Sequence, residues 1–347
     1  MYKKSGKKAI FVSMKRVLFL IVLLSALPAA GQKKDSFWRD WNDFLDMRAD
    51  KAYAKTDTTY VGRYPYIWDA RLFDQATGLY YVSTFGGDIH LSSGICNRAG
   101  VGLSYRGLGL NFSHALGKRR SHDLALSSYG RHFGFEFALR ATNDLTGSVE
   151  MSGVDAAGLK DKIDNLYLIS NKLNLLYSFN PRFSYGAAMK QTKIQRRSAG
   201  SFIAELSWSV WDMLFLEETE RTLDSFYETN YFYQRFSIGA GYGYNLVLGQ
   251  QHWLLHASLI PMWTFYEMQG WRKDGKRERV NYPYGKIAYA GSAHVGVYYR
   301  WGTRWSLGFS SVVNQMASNT HFSSKASGFQ RFGGQEWQAI LSLGCRF

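Results

Sequence analysis

Cysteine is scarce: two in 347 residues, too few for a disulfide scaffold or a cysteine-rich zinc site. Long apolar runs are missing too. No stretch approaches the ~20 residues that a membrane-spanning helix needs, which excludes a helical membrane protein. There is no phosphate-cradling glycine loop, no dinucleotide fingerprint and no zinc-ligand spacing, so no cofactor and no metal are expected. What the chain has instead is aromatic side chains, 16% of residues, and 34 glycines. With 46% of residues apolar, disorder is excluded.

The formal charge of +15 is concentrated at the start. Lys3, Lys4, Lys7, Lys8, Lys15 and Arg16 precede an eleven-residue apolar run, Val17 to Leu27, followed by Pro28-Ala29-Ala30-Gly31-Gln32. This is the pattern of a secretory signal peptide over residues 1–31, with Ala29 and Gly31 at the −3 and −1 positions of the cut; Met14 is an alternative start. No cysteine follows the cut, which argues against a lipoprotein anchor. Removing six of the 42 basic residues and none of the 27 acidic ones leaves +9. An exported chain of that modest charge is not expected to meet nucleic acid.

Residues 32–57 form the next unit. Phe37, Trp38, Trp41, Phe44 and Leu45 recur at three- and four-residue spacing, which predicts an amphipathic helix over Asp35–Lys55. Such a helix would lie against the inner leaflet or stopper a periplasmic mouth. From residue 58 to 347 the period changes to two. Between Gln234 and Leu248 the residues Phe236, Ile238, Ala240, Tyr242, Tyr244, Leu246 and Leu248 share one face, with Ser237, Gly239, Gly241, Gly243 and Asn245 on the other. The same division recurs over Phe133–Arg140, Trp253–Phe265, Ser292–Trp301, Trp305–Ser310 and Glu336–Phe347.

Soluble sandwiches also alternate, but with shorter strands and a charged outer face. Here the polar face is small, and aromatic residues gather near strand ends, as in the interfacial girdles of membrane barrels. Backbone groups inside a bilayer have to pair within the protein, so a sheet there must close. The fold class expected is therefore all-β: a closed antiparallel transmembrane β-barrel of about twelve strands, within a range of about ten to fourteen. It would sit in a bacterial outer membrane against lipid and lipopolysaccharide. The terminal Phe347, on the apolar face of its strand, is the expected signal to the barrel-assembly machinery.

Gly302-Thr303 and Gly249-Gln250-Gln251 read as short periplasmic turns. The spans Trp211–Asn230, Gln269–Gly285 and Ala317–Gly333 read as outer loops, the first acidic (Glu217, Glu218, Glu220, Asp224, Glu228) and the second basic (Arg272, Lys273, Lys276, Arg277, Arg279). They are either solvated tips or partners in a clasp, or the basic one meets lipopolysaccharide. Apolar parity slips across Arg106-Gly107 and again across Tyr129-Gly130, so each point needs a bulge or a turn. Bulges would give two long strands and about twelve in all, turns about fourteen; the bulges are preferred, because a short strand barely spans the apolar band.

The run from Tyr177 to Ala188 (Tyr-Ser-Phe-Asn-Pro-Arg-Phe-Ser-Tyr-Gly-Ala-Ala), continuing through Gln191 to Gln195-Arg196-Arg197-Ser198-Ala199-Gly200-Ser201, resembles a family of exported barrels from Bacteroidota known only as a domain of unknown function. Asp57-Thr58-Thr59-Tyr60-Val61 is similar to that family's opening, while Met189 stands where a Phe would be expected. The resemblance implies a fold and a location but no activity, and it supplies no catalytic residue.

Lys190, Lys193, Arg196 and Arg197 would be costly at mid-membrane. With Glu136, Arg140, Glu205, Asn245, His294 and Arg300 they are expected to line the lumen or a rim. They either pair to fill a narrow barrel or form a constriction for an anionic solute. Three His-x-Ser pairs, His90/Ser92, His256/Ser258 and His321/Ser323, place both side chains on one strand face, the spacing a serine hydrolase would use. The alternation puts His256 on the lumen side. Three functions stay open: a channel or transport barrel for a small solute of unknown identity, which is preferred, a structural or partner-binding barrel with a filled lumen, and an outer-membrane lipid hydrolase using His256 and Ser258. Cys96 and Cys345 lie on non-adjacent expected strands and are read as free thiols.

Overall fold

The computed structural model describes residues 40–347, apart from 41–42, 45, 48–49, 52, 55, 84–87, 118–120, 151–159, 215–229, 274–275, 281–286 and 322–328. The expected signal peptide lies outside the described residues, as do the acidic side chains of the first expected outer loop. Of the expected N-terminal helix, the described residues between Asp40 and Ala54 are helical.

The strands are β1 (Val61–Gly62), β2 (Trp68–Ser83), β3 (Asp88–Ser92), β4 (Cys96–Tyr105), β5 (Leu108–Ala115), β6 (Ser121–Tyr129), β7 (Phe133–Glu150), β8 (Lys160–Ser178), β9 (Ile194–Gln195), β10 (Ala199–Leu214), β11 (Asn230–Leu248), β12 (Trp253–Lys273), β13 (Lys276–Val280), β14 (Ile287–Trp301), β15 (Trp305–His321) and β16 (Phe329–Arg346). One short helix, α1 (Tyr185–Lys190), lies between β8 and β9. Antiparallel pairing runs β2-β4-β5-β6-β7-β8-β10-β11-β12-β14-β15-β16 and returns to β2, a closed ring of twelve strands. The seam is sealed where the start of β2 meets the end of β16. Trp68 and Phe347 exchange both backbone hydrogen bonds at 3.1 Å, and the Phe347 side chain is 59% exposed.

Twelve strands arise by a route other than the one the parity suggested. Both slips are turns, not bulges: Arg106 and Gly107 adopt φ of 49° and 92° between β4 and β5, and residues 130–132 connect β6 to β7. The short strands β4, β5 and β6 span only the end of the wall where the short turns lie. Farther up, β3 takes their place and pairs with β2 on one side and β7 on the other. A second difference concerns the outer loops. β12 continues to Lys273 and turns back as β13, and β15 and β16 pair out to His321 and Phe329, so much of the expected loop sequence is strand.

Outside the wall, aromatic residues form two rims. Trp68, Phe133, Trp253, Trp301 and Trp305 mark the turn end, and Tyr80, Trp263, Phe265, Tyr266 and Tyr289 mark the loop end, all of them exposed. Leu72, Val101, Leu259, Val295, Phe309 and Leu341 lie exposed between the rims. An apolar band between aromatic belts is what a lipid-facing barrel surface requires. Pro261 interrupts the β11–β12 ladder because it has no N–H to donate. No pairing is made at Ala240 and Gly241, and a Cβ at Gly241 would lie 1.9 Å from the Leu259 carbonyl oxygen, so only glycine fits there.

Candidate functional site

Three layers fill the inside of the wall. At the turn end, residues 179–198 leave the sheet after β8, fold inward and return at β10. Asn180 starts the departure by bonding back to Gly200 and Ser201. Ser184 then caps α1 by accepting from the Ala187 N–H at 3.2 Å, and Gln191 ends it in a left-handed conformation. Phe183 and Tyr185 are buried with Ile203 and Ile260 of the wall, Ala187 with Leu254 and Tyr298, and Ala188 is buried too. The small inward face of β11 now has a cause: a Cβ at Gly243 would meet Phe183 and Ile203. At the other end of α1, Arg71 donates to the Lys190 carbonyl and Arg346 to the Gln191 carbonyl, where the helix dipole favours cations.

Gln195, 0% exposed, organises this insert. Its Nε2 donates to the carbonyls of Arg182 and Arg197, and its Oε1 accepts from the Ser184 N–H and from Asn245 of the wall. Asn245 also donates to the Ser184 carbonyl at 3.0 Å. The chain ahead of the barrel joins the same cap. β1 pairs with β9, the Arg196 N–H donates to the Tyr60 carbonyl, Arg182 contacts Asp57 at 3.2 Å, and the Arg182 guanidinium sits over the Tyr60 ring.

The middle layer is polar and crosses the lumen. Arg140 on β7 reaches Glu336 on β16 and also pairs with Asp123, while Lys172 on β8 donates to Asn314 on β15 at 2.8 Å. The Arg140–Glu336 and Lys172–Asn314 links each join strands on nearly opposite sides of the twelve-strand ring, whereas Asp123 lies on the neighbouring β6. The third layer, at the loop end, is an apolar collar of Leu79, Tyr81, Leu91, Leu145, Leu166, Leu168, Trp211, Met213 and Tyr233. Between insert and collar lies a cavity of about 220 Å³ bordered by Phe73, Glu136, Lys172, Met189, Lys190 and Met316.

The residues singled out in the sequence divide among these layers. Glu136, Arg140, Lys190 and His294 border the cavity, though Lys190 does so from the insert and not from a wall strand; Lys172, which the sequence reading did not pick out, borders it as well. Burial pulls the Lys190 ammonium below the usual lysine value, and the nearby Glu136 carboxylate acts in the opposite direction. Glu205 is buried against Ser292. Asn245 docks the insert, and Arg300 faces inward at the turn end, donating to the Gln251 carbonyl and toward Tyr64. Lys193, Arg196 and Arg197 are not wall residues: Lys193 donates to the Gly130 carbonyl, and Arg196 and Arg197 are exposed on the cap. The sequence expects the basic residues of the segment Phe183–Ser201 on the lumen or a rim, and the structure places most of the segment in the insert. It folds inward because its basic residues would be uncompensated against lipid.

The three His-x-Ser pairs have separate fates. His90 and Ser92 are exposed on β3, and Ser323 lies outside the described residues. His256 and Ser258 are buried on the lumen face with an Asn–His–Ser chain of hydrogen bonds: Asn245 Oδ1 to His256 Nδ1 at 2.8 Å, and His256 Nε2 to Ser258 Oγ at 3.2 Å. That order resembles a nucleophile triad. Ser258 does not border the cavity, however, and Asn245 is committed to the insert, so the chain of bonds works as a latch. Cys96 and Cys345 are free thiols on β4 and β16, which flank β2 on opposite sides.

The two stretches that meet in the cap, Asp57–Val61 and Tyr177–Ser201, are also the two that carried the family resemblance. The profile of the domain of unknown function DUF4421 matches residues 55–333. The chain belongs to the DUF4421 family. No curated protein matches the sequence. Among solved structures, this DUF4421 barrel is similar to the translocator domain of the autotransporter NalP from Neisseria meningitidis, with 12% identity, TM-score 0.41, and coverage of 90% of this chain and 98% of that one. It is also similar to the toluene transporter TodX of P. putida, with 8% identity, TM-score 0.28 and coverage of 86% and 92%. A third likeness is the β domain of the Bordetella autotransporter BrkA, with 11% identity, TM-score 0.35 and coverage of 81% and 99%. The DUF4421 fold itself rests on the closed strand pairing.

Proposed function

We propose that this chain is a gated transport barrel of the bacterial outer membrane that passes a small solute and rests closed. In this reading residues 1–31 direct export, the host belongs to the Bacteroidota, and Phe347 is presented to the assembly machinery. The turn end, with both barrel ends, faces the periplasm, and the wall meets lipid and, at the loop end, lipopolysaccharide. The observation that carries the reading is the cavity of about 220 Å³ held between a docked insert and an apolar collar. The insert is attached by hydrogen bonds and side-chain packing, which a conformational change can release, and not by membership of the twelve-strand ring.

A filled structural barrel is the second reading, favoured by the Arg140–Glu336 and Lys172–Asn314 links across the lumen. Planar-bilayer recording separates the two. The intact protein is expected to be closed or to open briefly, and replacing residues 181–197 with a short Gly-Ser linker is expected to give sustained conductance. A heat-modifiable, folded linker variant that stays silent overturns transport and leaves the filled barrel.

A further inference from the structure

The lipid-facing surface is interrupted in one sector. On β12 and on β14 to β16 the outward residues between the aromatic rims carry no charge; Leu259, Val295, Phe309 and Leu341 are typical. On β2 that rule fails at Asp74. Arg71, Phe73 and Gln75 border the lumen cavity, so Asp74 points outward, and it is exposed. It lies six residues from Trp68 and six from Tyr80, midway between the two rims. It makes no hydrogen bond or ion pair with a described residue. The register Asp74↔Ala99↔His114↔His122 carries the same row across β4, β5 and β6, and the other three side chains are exposed too. His114 and His122 share one hydrogen bond, Nδ1 to Nδ1 at 3.1 Å. Whichever neutral ring donates, the other carries its proton on Nε2, so the pair always has an N–H left to give. A carboxyl group and an imidazole N–H held against acyl chains are both costly to leave unpaired.

We infer that this sector of the wall is the contact surface of a homodimer in the membrane, in which Asp74 of each copy accepts a hydrogen bond from the His114–His122 pair of the other. A second copy fits because the row is self-complementary. Neighbouring strands are about 4.8 Å apart, so the acid and the nearer imidazole stand on strands roughly 10 Å apart, with the small Ala99 between them. A two-fold axis along the membrane normal near Ala99 sets each acid against the other copy's imidazoles and makes the contact twice. Bonds of this kind are strongest where water is excluded. The exposed Leu72, Val101 and Phe112 around the row supply apolar packing. The contact lies outside the wall and is independent of whether the lumen opens.

Energy transfer between donor- and acceptor-labelled full-length barrels, reconstituted in phosphatidylcholine vesicles and diluted with lipid, tests this. The unaltered protein is expected to associate. Asp74→Ala, and the double variant His114→Ala/His122→Ala, should each need at least a tenfold higher protein-to-lipid ratio for half association. Mixing the two variants is the sharper arm. The mixed pair regains one of the two contacts, so it should associate more tightly than either variant does alone, which a general weakening of the barrel would not produce. Both variants take polar groups off a surface that faces lipid in the monomer, so the barrel should fold as before. Heat-modifiable gel mobility checks that, and Asp74→Leu stands in if Asp74→Ala folds poorly. An unaltered protein that stays monomeric at the highest ratio, association unchanged in either variant, or a mixture no tighter than its components overturns the homodimer.

Discussion

The β11–β12 wall and the insert between β8 and β10 use similar side chains to opposite ends. In the wall, alternation sends Tyr242, Tyr244 and Leu259 outward and Gly243, Asn245 and His256 inward, and the ladder pairs the backbone. In the insert, Phe183, Tyr185, Ala187 and Ala188 are all buried, and the backbone is satisfied by a one-and-a-half-turn helix and by the Gln195 side chain. The wall is held by a repeating pattern that tolerates local change. The insert depends on a few specific donors and acceptors.

The largest expected effect tests the wall. Leu259, 64% exposed between the aromatic rims, changed to Arg should cost about 2–4 kcal/mol, read as a loss of folded barrel in urea titration into lipid vesicles. Gly241→Ala attacks the same strands from the backbone, since its Cβ would overlap the Leu259 carbonyl oxygen; overpacking of this kind costs about 1–3 kcal/mol. A fully stable Gly241→Ala barrel would show that the lapse beside Pro261 is not tight.

Turning to the insert, Gln195→Ala should strand buried groups at about 1–3 kcal/mol each while the ring stays closed. Trypsin should then cut at Arg182 or Arg197 well before the wall is attacked. Equal protease resistance in the variant would mean that Gln195 does not organise the cap. Smallest is Ser184→Ala, which removes the α1 cap at about 1 kcal/mol and should slightly raise hydrogen exchange over Ala187 alone. In all four, wall variants should change barrel stability and insert variants should change local protection. A mixed outcome would erase the distinction.

Legibility in the sequence followed the same division. Period two was readable wherever one face meets lipid, because that face has to be uniformly apolar. It misled at the loop end. Above the outer rim the outside of the wall meets water, so the pattern reverses: on β10, inward Glu205, Ser207 and Ser209 give way to inward Trp211 and Met213. That reversal is visible in the sequence and marks the collar, but it was read as the start of a loop. The segment Phe183–Ser201 carried a different signal. Its concentration of Lys190, Lys193, Arg196 and Arg197 signalled that it was not a lipid-facing strand, without indicating that it turns inward. Strand number came out at twelve although both parity slips are turns, because β3 restores the wall where the short hairpin strands end.

Composition and alternation alone were enough to specify a closed transmembrane cylinder with an aromatic belt, since the bilayer imposes the same one-dimensional rule on each strand that spans it. Which residues meet inside was left to the folded chain. The bond from Asn245 to Ser184 and the links across the lumen join positions tens to hundreds of residues apart. No local periodicity encodes such distances; closing the ring is what brings them within reach.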